Sequence, residues 1–392
     1  LELAGADYAA SFFGKISGLN DALKIMGTAR VSADDLSRFS GVAGQPIGGA
    51  GVVTLTGEGS PLTGAFDARV EVQGTNLRMG VAQVDQALRG PSVLTASVGR
   101  DIAGTTLRSL HVTAGSITAD ASGSLASTGV DLKAKVAVGN LASLGAGFGG
   151  SVTTTAAVRG TRDRLNLTLD ASARNLAVGQ PQADRLLAGD SRFTLGLTLR
   201  DGAVFVDNAN LTNPQMTVTA QGALRNGKQN VTVQARLNNL GIVVPDLPGA
   251  LTVSGTLVQT AQGTQLNLRG SGPGQIDAQV QGKLAPDFRK GDLSIKGTAA
   301  AGLANPFIAP RVLSGRTAFD LRLNGPLALT SLGGQVTLSD ARLADPMLPF
   351  SVDGITGRVD LAKGQARING AAAISTGGQI TLSGTAGITP PY

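Results

Sequence analysis

The clearest sign of β-structure in this chain is the segment Phe193-Thr194-Leu195-Gly196-Leu197-Thr198-Leu199-Arg200-Asp201-Gly202. Its apolar residues fall at every second position, so an extended backbone turns all of them to one face and the threonines to the other. The Arg-Asp-Gly that follows is typical of a tight turn into another strand. The segment therefore predicts a strand of an antiparallel sheet with one apolar face and one solvated face.

The same alternation recurs along most of the chain. The polar partners are Thr, Asn, Asp, Arg and Gln, and several runs end at a glycine. A shift of one residue in the strand pairing would exchange the two faces of a strand. Which residues of each run point into the trough is therefore open at this stage. The candidate residues of the apolar surface are Phe66, Val70, Val72, Leu165, Leu167, Leu169, Phe193, Leu195, Leu197, Leu199, Val231, Val233, Leu266, Leu268, Phe319, Leu321, Leu323, Val336, Leu338, Ile380 and Leu382.

A repeat organises these runs. Asn76-Leu77 returns as Asn175-Leu176, and Asn140-Leu141 returns as Asn239-Leu240, each 99 positions later. A fixed period means that each unit stacks on its neighbours rather than closing its own core. We therefore predict one continuous elongated groove over residues 1–392. Its repeat units fall at about 35–140, 141–239, 240–302, which is shortened, and 303–392.

Short helical turns are predicted at fixed places in the repeat. Ser32 is expected to cap a turn that contains Leu36 and ends at Gly41. Pro181 is expected to begin another that ends at Gly189. Helices this short are stable only when they bury their leucine face, so each should lie on the sheet or at its mouth. There it would act as a crossover that covers apolar surface, or as a lid.

Composition excludes several classes of protein. Hydrophobic residues make up 42% of the chain, aromatics only 3%, and there is no cysteine to form a disulfide. The net charge is +6, but the 33 basic residues are dispersed among 27 acidic ones. Without basic clusters and stacking aromatics, no nucleic-acid partner is predicted. A basic bias would instead favour anionic lipid headgroups at a rim. No apolar run is long enough to predict a membrane-spanning helix.

No catalytic constellation is recognisable, so we predict that the protein is not an enzyme and uses no metal or cofactor. His111 is the one histidine, and without cysteine or a second histidine it cannot build a nitrogen or sulfur metal site. The glycines of Gly145-Ala146-Gly147-Phe148-Gly149-Gly150 match a dinucleotide-binding motif. The residues after them predict a strand, whereas that motif requires a helix. We interpret the segment as a glycine-rich turn.

The predicted fold is all-β: an elongated, repetitive antiparallel β-trough, a groove folded like a taco, with a few short helices at repeat positions. A transmembrane barrel is not favoured, because girdles of aromatic residues are missing. A trough that is lined by small aliphatic side chains has no fixed polar group to orient a ligand, so it suits flexible acyl chains. Burying about 15 methylenes at ~0.8 kcal/mol each is worth on the order of 12 kcal/mol.

The pattern resembles the TamB family, the inner-membrane component of the translocation and assembly module, within the AsmA-like group. The resemblance covers most of the chain. It is carried by Ser314-Gly315-Arg316-Thr317-Ala318-Phe319-Asp320-Leu321-Arg322-Leu323-Asn324-Gly325-Pro326, by Leu332-Gly333-Gly334-Gln335-Val336-Thr337-Leu338 and by Gly377-Gly378-Gln379-Ile380-Thr381-Leu382-Ser383-Gly384. It implies a groove in the periplasm of a Gram-negative bacterium that shields phospholipid acyl chains between the inner and outer membranes. It also implies an N-terminal anchor in the inner membrane, which would lie outside this sequence. A barrel protein of the Omp85 type in the outer membrane is the implied partner, and it would bind to regions outside this sequence. The chain is accordingly expected to be a fragment of a longer protein.

Two other functions stay open at this stage. A trough with open edges could act as a scaffold or chaperone for outer-membrane proteins by offering strands to them. A secreted β-solenoid surface protein is the second alternative, and a coil period near 20 residues would favour it.

Overall fold

The computed structural model of the protein describes residues 1–5, 7–18, 23–225, 228–245, 247–260, 262–347 and 349–387. The chain divides into two compact units. The first comprises Leu1–Gly202 and Asp207–Pro214, and the second comprises Ala203–Val206 and Gln215–Tyr392.

Strands dominate the described residues. Those of the first unit are β1 (Glu2–Ala4), β2 (Tyr8–Ser17), β3 (Lys24–Ala33), β4 (Gly48–Ser60), β5 (Ala65–Arg78), β6 (Pro91–Arg100), β7 (Gly104–Ala114), β8 (Ile117–Ala126), β9 (Gly129–Val138), β10 (Phe148–Gly160), β11 (Arg164–Val178) and β12 (Asp190–Arg200). β13 (Ala203–Thr212) contributes residues to both units. Those of the second unit are β14 (Met216–Arg225), β15 (Lys228–Leu237), β16 (Leu251–Thr260), β17 (Gly263–Gly272), β18 (Ile276–Leu284), β19 (Lys290–Ala300), β20 (Val312–Pro326), β21 (Leu332–Ala344), β22 (Ser351–Ala362), β23 (Gln365–Ile374) and β24 (Gln379–Gly387).

Within each unit the strands form a meander. From β1 to β12, each strand pairs antiparallel with the next one in the sequence. The same holds from β14 to β24. The predicted all-β class, in which consecutive strands pair antiparallel, is therefore confirmed.

Helical structure is confined to short turns between strands. The α-helices are α1 (Ser40–Ala43), α2 (Ala82–Ala87), α3 (Pro181–Leu186) and α4 (Asn305–Ile308), and 3-10 turns span Leu36–Phe39, Leu141–Leu144, Leu240–Ile242, Ala301–Ala304 and Leu329–Ser331. All but the last lie in connections that follow an odd-numbered strand, and within each unit's meander such connections lie at the same end of the strands. The predicted short helices at repeat positions are thus confirmed. None of the described helices is long and apolar enough to cross a membrane.

The turn after β3 corrects one expectation. Asp35, rather than Ser32, caps it, because Asp35 has an extended backbone and its side chain accepts a hydrogen bond from the Ser37 N–H at 2.9 Å. The helical stretch also continues through α1 and ends at the left-handed Gly44, three residues beyond Gly41. The predicted start of α3 at Pro181 is confirmed.

The 99-residue repeat has a structural counterpart in a hydrogen-bond network around α2 and α3. Asn76 and Asn175 both have positive φ, at 53° and 49°. The side chain of Asn76 accepts from the Gly90 N–H at 2.9 Å, and that of Asn175 accepts from the Gly189 N–H at 3.0 Å. Asparagine tolerates this left-handed backbone better than most residues, which explains why it occupies both positions.

Candidate functional site

In the first unit, the strand registers bring every candidate apolar residue to one face of the sheet. Leu167 lies between Val158 on β10 and Leu197 on β12. Because successive side chains of a strand point to opposite faces, alternate residues continue this surface along each strand. We call it the apolar face. On five strands the apolar face takes the even-numbered residues: β2 (Tyr8–Ile16), β5 (Phe66–Gly74), β6 (Ser92–Arg100), β9 (Val130–Val138) and β10 (Val152–Gly160). On five others it takes the odd-numbered residues: β3 (Ile25–Ala33), β4 (Gly51–Gly59), β8 (Ile117–Leu125), β11 (Leu165–Ala173) and β12 (Ser191–Leu199). The irregular strand β7 contributes Thr105, Leu107, Leu110, Val112 and Ala114.

The second unit has an apolar face of the same kind. Val231 pairs with Leu257, which pairs with Leu266, and Phe319 pairs with Val336. The remaining candidates follow by alternation on the same strands, namely Val233, Leu268, Leu321, Leu323 and Leu338. Leu382 pairs with Gly370, and Ile380, two residues before it, shares its face. Each unit thus gathers its candidates on a single surface.

The apolar faces are open rather than covered by a second layer of protein. Among the described residues, no large side chain is fully buried, and most of the buried apolar residues are alanines. The candidates range from Leu266, which is 6% exposed, to Phe66 at 38% and Leu382 at 62%. A sandwich would bury its large aliphatic side chains between two sheets. The apolar faces therefore leave hydrophobic surface in contact with solvent.

The apolar face of the first unit contains a cavity of about 500 Å³ across β2 to β6. Its lining includes Phe12, Ile25, Leu55, Phe66, Val70 and Val98. Two glycines in register, Gly27 and Gly57, lie in its wall. A side chain at Gly57 would collide with the Asp67 carbonyl on the next strand, so glycine allows the strands to approach closely there.

Four large apolar side chains of this cavity were not among the sequence candidates: Phe12, Ile25, Leu55 and Val98. The available signal was the alternation Phe12-x-Gly14-x-Ile16 and Val53-x-Leu55-x-Gly57, which is weakened because glycine takes an apolar position. Only the pairing of Leu55 with Val70 and Ala29 shows that this alternation shares the face of the stronger runs.

The opposite surface, which we call the polar face, carries ion pairs between neighbouring strands. Arg322 bonds to Asp292 through two hydrogen bonds of 3.0 Å, and Arg269 bonds similarly to Asp277. The hydrogen bond from Arg322 is the main cause that lowers the pKa of the Asp292 carboxyl below its usual value. Exposed pairs of this kind contribute little to stability, and they mark the solvated side of the sheet.

His111 and the glycine-rich segment 145–150, for which the sequence indicated no catalytic role, lie in regular strand and turn structure. His111 Nδ1 is 2.7 Å from Asp120 Oδ1 and its Nε2 is 3.2 Å from Thr113 Oγ1, all on the polar face. The described residues contain no group of three or more His, Cys, Asp or Glu placed to hold a metal ion. The predicted strand after this glycine-rich segment is confirmed as β10, but β10 begins at Phe148, so only residues 145–147 form the turn and residues 148–150 already belong to the strand.

No family model matches the chain, and no curated protein is significantly similar to it. The resemblance to the TamB family therefore stays a prediction, carried by the alternation pattern.

Proposed function

We propose that this protein is a non-enzymatic phospholipid carrier whose apolar faces shield acyl chains between two membranes. The observation that carries this proposal is the open apolar face. A soluble protein rarely exposes contiguous apolar surface of large extent unless that surface binds a partner, a ligand or a membrane.

The chemistry of the surface favours hydrocarbon as the ligand. Aliphatic side chains and glycine make up most of it, so contact with a ligand is non-directional and proportional to the apolar area that is buried. One-sided contact with about 15 methylenes would recover about half of ~0.8 kcal/mol each, on the order of 6 kcal/mol. Neighbouring positions along the face have similar apolar side chains, so an acyl chain can move from one strand to the next without losing a specific contact.

The resemblance to the TamB family extends the proposal to a cellular setting. In that setting the protein works in the periplasm of a Gram-negative bacterium and carries phospholipid between the inner and outer membranes. Other parts of a longer chain would then supply the inner-membrane anchor and bind the outer-membrane barrel partner.

Mass spectrometry of organic extracts tests the proposal. The chain is expressed with a signal peptide, purified, and washed free of loose membrane before extraction. We expect several phospholipids per chain, because the apolar faces span many strands. A stable chain without lipid would contradict the carrier function and would favour the scaffold for outer-membrane proteins.

A further inference from the structure

One residue breaks the apolar character of the apolar face in the first unit. Of all the positions that this face takes from β2 to β12, only Arg100 has a charged side chain. On neighbouring strands the same row is occupied by Gly59, Phe66, Thr105 and Leu125. The other Lys and Arg residues of these strands belong to the polar face, except Arg78 beyond the register shift between β4 and β5 and Arg108 at the bulge of β7. Arg100, although it ends β6, is thus the one cation in the regular register of this face.

Arg100 is available to a ligand. It is the last residue of β6, where the face meets a tight turn, and its side chain is exposed. No described carboxylate forms an ion pair with it. The adjacent Asp101 is occupied by its own turn, because its Oδ1 accepts hydrogen bonds from the N–H groups of Ala103 at 2.8 Å and Gly104 at 3.2 Å.

Arg100 neighbours the apolar cavity through the strand register, and it also lines a more polar pocket together with Glu58, Asp67 and Arg108. Phe66 lies directly across from Arg100 on β5, and Val98 precedes it by two residues on the same face. Both Phe66 and Val98 line the cavity of about 500 Å³. The four strand spacings from β2 to β6 amount to roughly 19 Å. One leaflet of a bilayer is about 15 Å of hydrocarbon, so an acyl chain fits across these strands.

We propose that Arg100 binds the phosphate of a phospholipid whose acyl chains occupy this cavity. A single cation at the edge of an otherwise apolar surface matches an amphipathic ligand with one anionic group at the end of its hydrocarbon. The planar guanidinium donates two parallel hydrogen bonds to a phosphate, and lysine cannot reproduce that geometry. The inference rests on the proposed carrier function and adds a defined headgroup site to it.

The test compares two probes on the purified, delipidated chain: short-chain phosphatidylglycerol and diacylglycerol with the same acyl chains. We expect Arg100→Gln to weaken phosphatidylglycerol binding about tenfold, as for loss of a hydrogen-bonded charge. Diacylglycerol binding should stay unchanged, and Arg100→Lys should give an intermediate affinity for phosphatidylglycerol. Arg69→Gln is the matched control, since Arg69 is exposed on the polar face of the adjacent β5.

The outcomes separate this inference from the carrier function. Equal loss for both probes in Arg100→Gln, no loss for either probe, or the same loss in Arg69→Gln would overturn the role of Arg100 and leave lipid binding standing. If the unmodified chain binds neither probe, the carrier function itself fails. Leu55→Asp, inside the cavity, should weaken both probes alike and so shows that binding occurs on the apolar face.

Discussion

Replacement of Leu167 by aspartate should slow lipid movement strongly while the sheet still folds. Leu167 is half-buried on the apolar face between Val158 and Leu197. In the lipid-free protein, a carboxylate at this position can reach water across the open face. When an acyl chain passes over the position, the same carboxylate must lose that water.

The size of the effect follows from the cost of a charge in hydrocarbon. At the centre of a bilayer, leucine is favourable by about 0.5 kcal/mol and aspartate unfavourable by about 3 kcal/mol. The apolar face contacts a lipid from one side only, so we take about half of this difference, about 2 kcal/mol. A barrier higher by that amount slows passage roughly thirtyfold.

The assay follows a fluorescent phospholipid from donor to acceptor vesicles in the presence of the chain. Thr168→Asp is the matched control, because Thr168 is the next residue and is exposed on the polar face. Urea unfolding should show that Leu167→Asp costs no more than about 2 kcal/mol of stability. Unchanged transfer by a folded Leu167→Asp protein would refute the idea that lipid moves along this face.

Three further changes test the fold that presents the apolar faces. Asn175→Ala should lower the free energy of unfolding by about 1–2 kcal/mol in urea titrations, and Asn175→Gly by less, because glycine keeps the positive φ and loses only the side-chain acceptor; equal losses would contradict this account. Gly123→Ala should destabilise the first unit by more than about 1 kcal/mol, since a Cβ there collides with the Asp131 carbonyl on the next strand, and an unchanged urea midpoint would count against it. Because its bond with Arg322 lowers the folded pKa of Asp292, the pair stabilises the fold above the ordinary Asp pKa of about 4 and loses this effect as the pH falls through the lowered value. The melting temperature of Arg322→Gln should therefore be lower than that of the unmodified chain at pH 7, and the difference should shrink as the pH falls below about 4. A difference that stays constant over this range would argue against the linkage.

Much of the candidate site was predictable because it depends on local periodicity. A strand exposes alternate residues to alternate faces, so runs such as Leu165-x-Leu167-x-Leu169 identify apolar positions without any knowledge of their neighbours. The cavity across β2 to β6 was harder to predict. Its wall includes Gly27 and Gly57, which are apolar positions without side chains, so the alternation there is weak.

Bulges also hid part of the apolar face. Leu107 and Leu110 are three residues apart, a spacing that breaks the alternation of a regular strand. The register between β6 and β7 shifts at this point, so that Leu107 pairs with Val98 and Leu110 with Ala96. An inserted residue of this kind restores both leucines to one face. Such an irregularity is visible only when the partner strand is known.

The amino-acid sequence by itself determined that this protein is built of short antiparallel strands with one apolar and one polar side. That information is local, because it lies in the two-residue period of the strands and in the Gly, Asn and Asp residues of the turns. Only the tertiary structure decided that the apolar sides of successive strands join into one open face in each unit. Register is a long-range property, and a slip of a single residue would have turned a whole strand to the other side. The same pairing placed Arg100 beside Phe66 at the edge of the cavity, a juxtaposition of residues 34 positions apart that no local pattern contains.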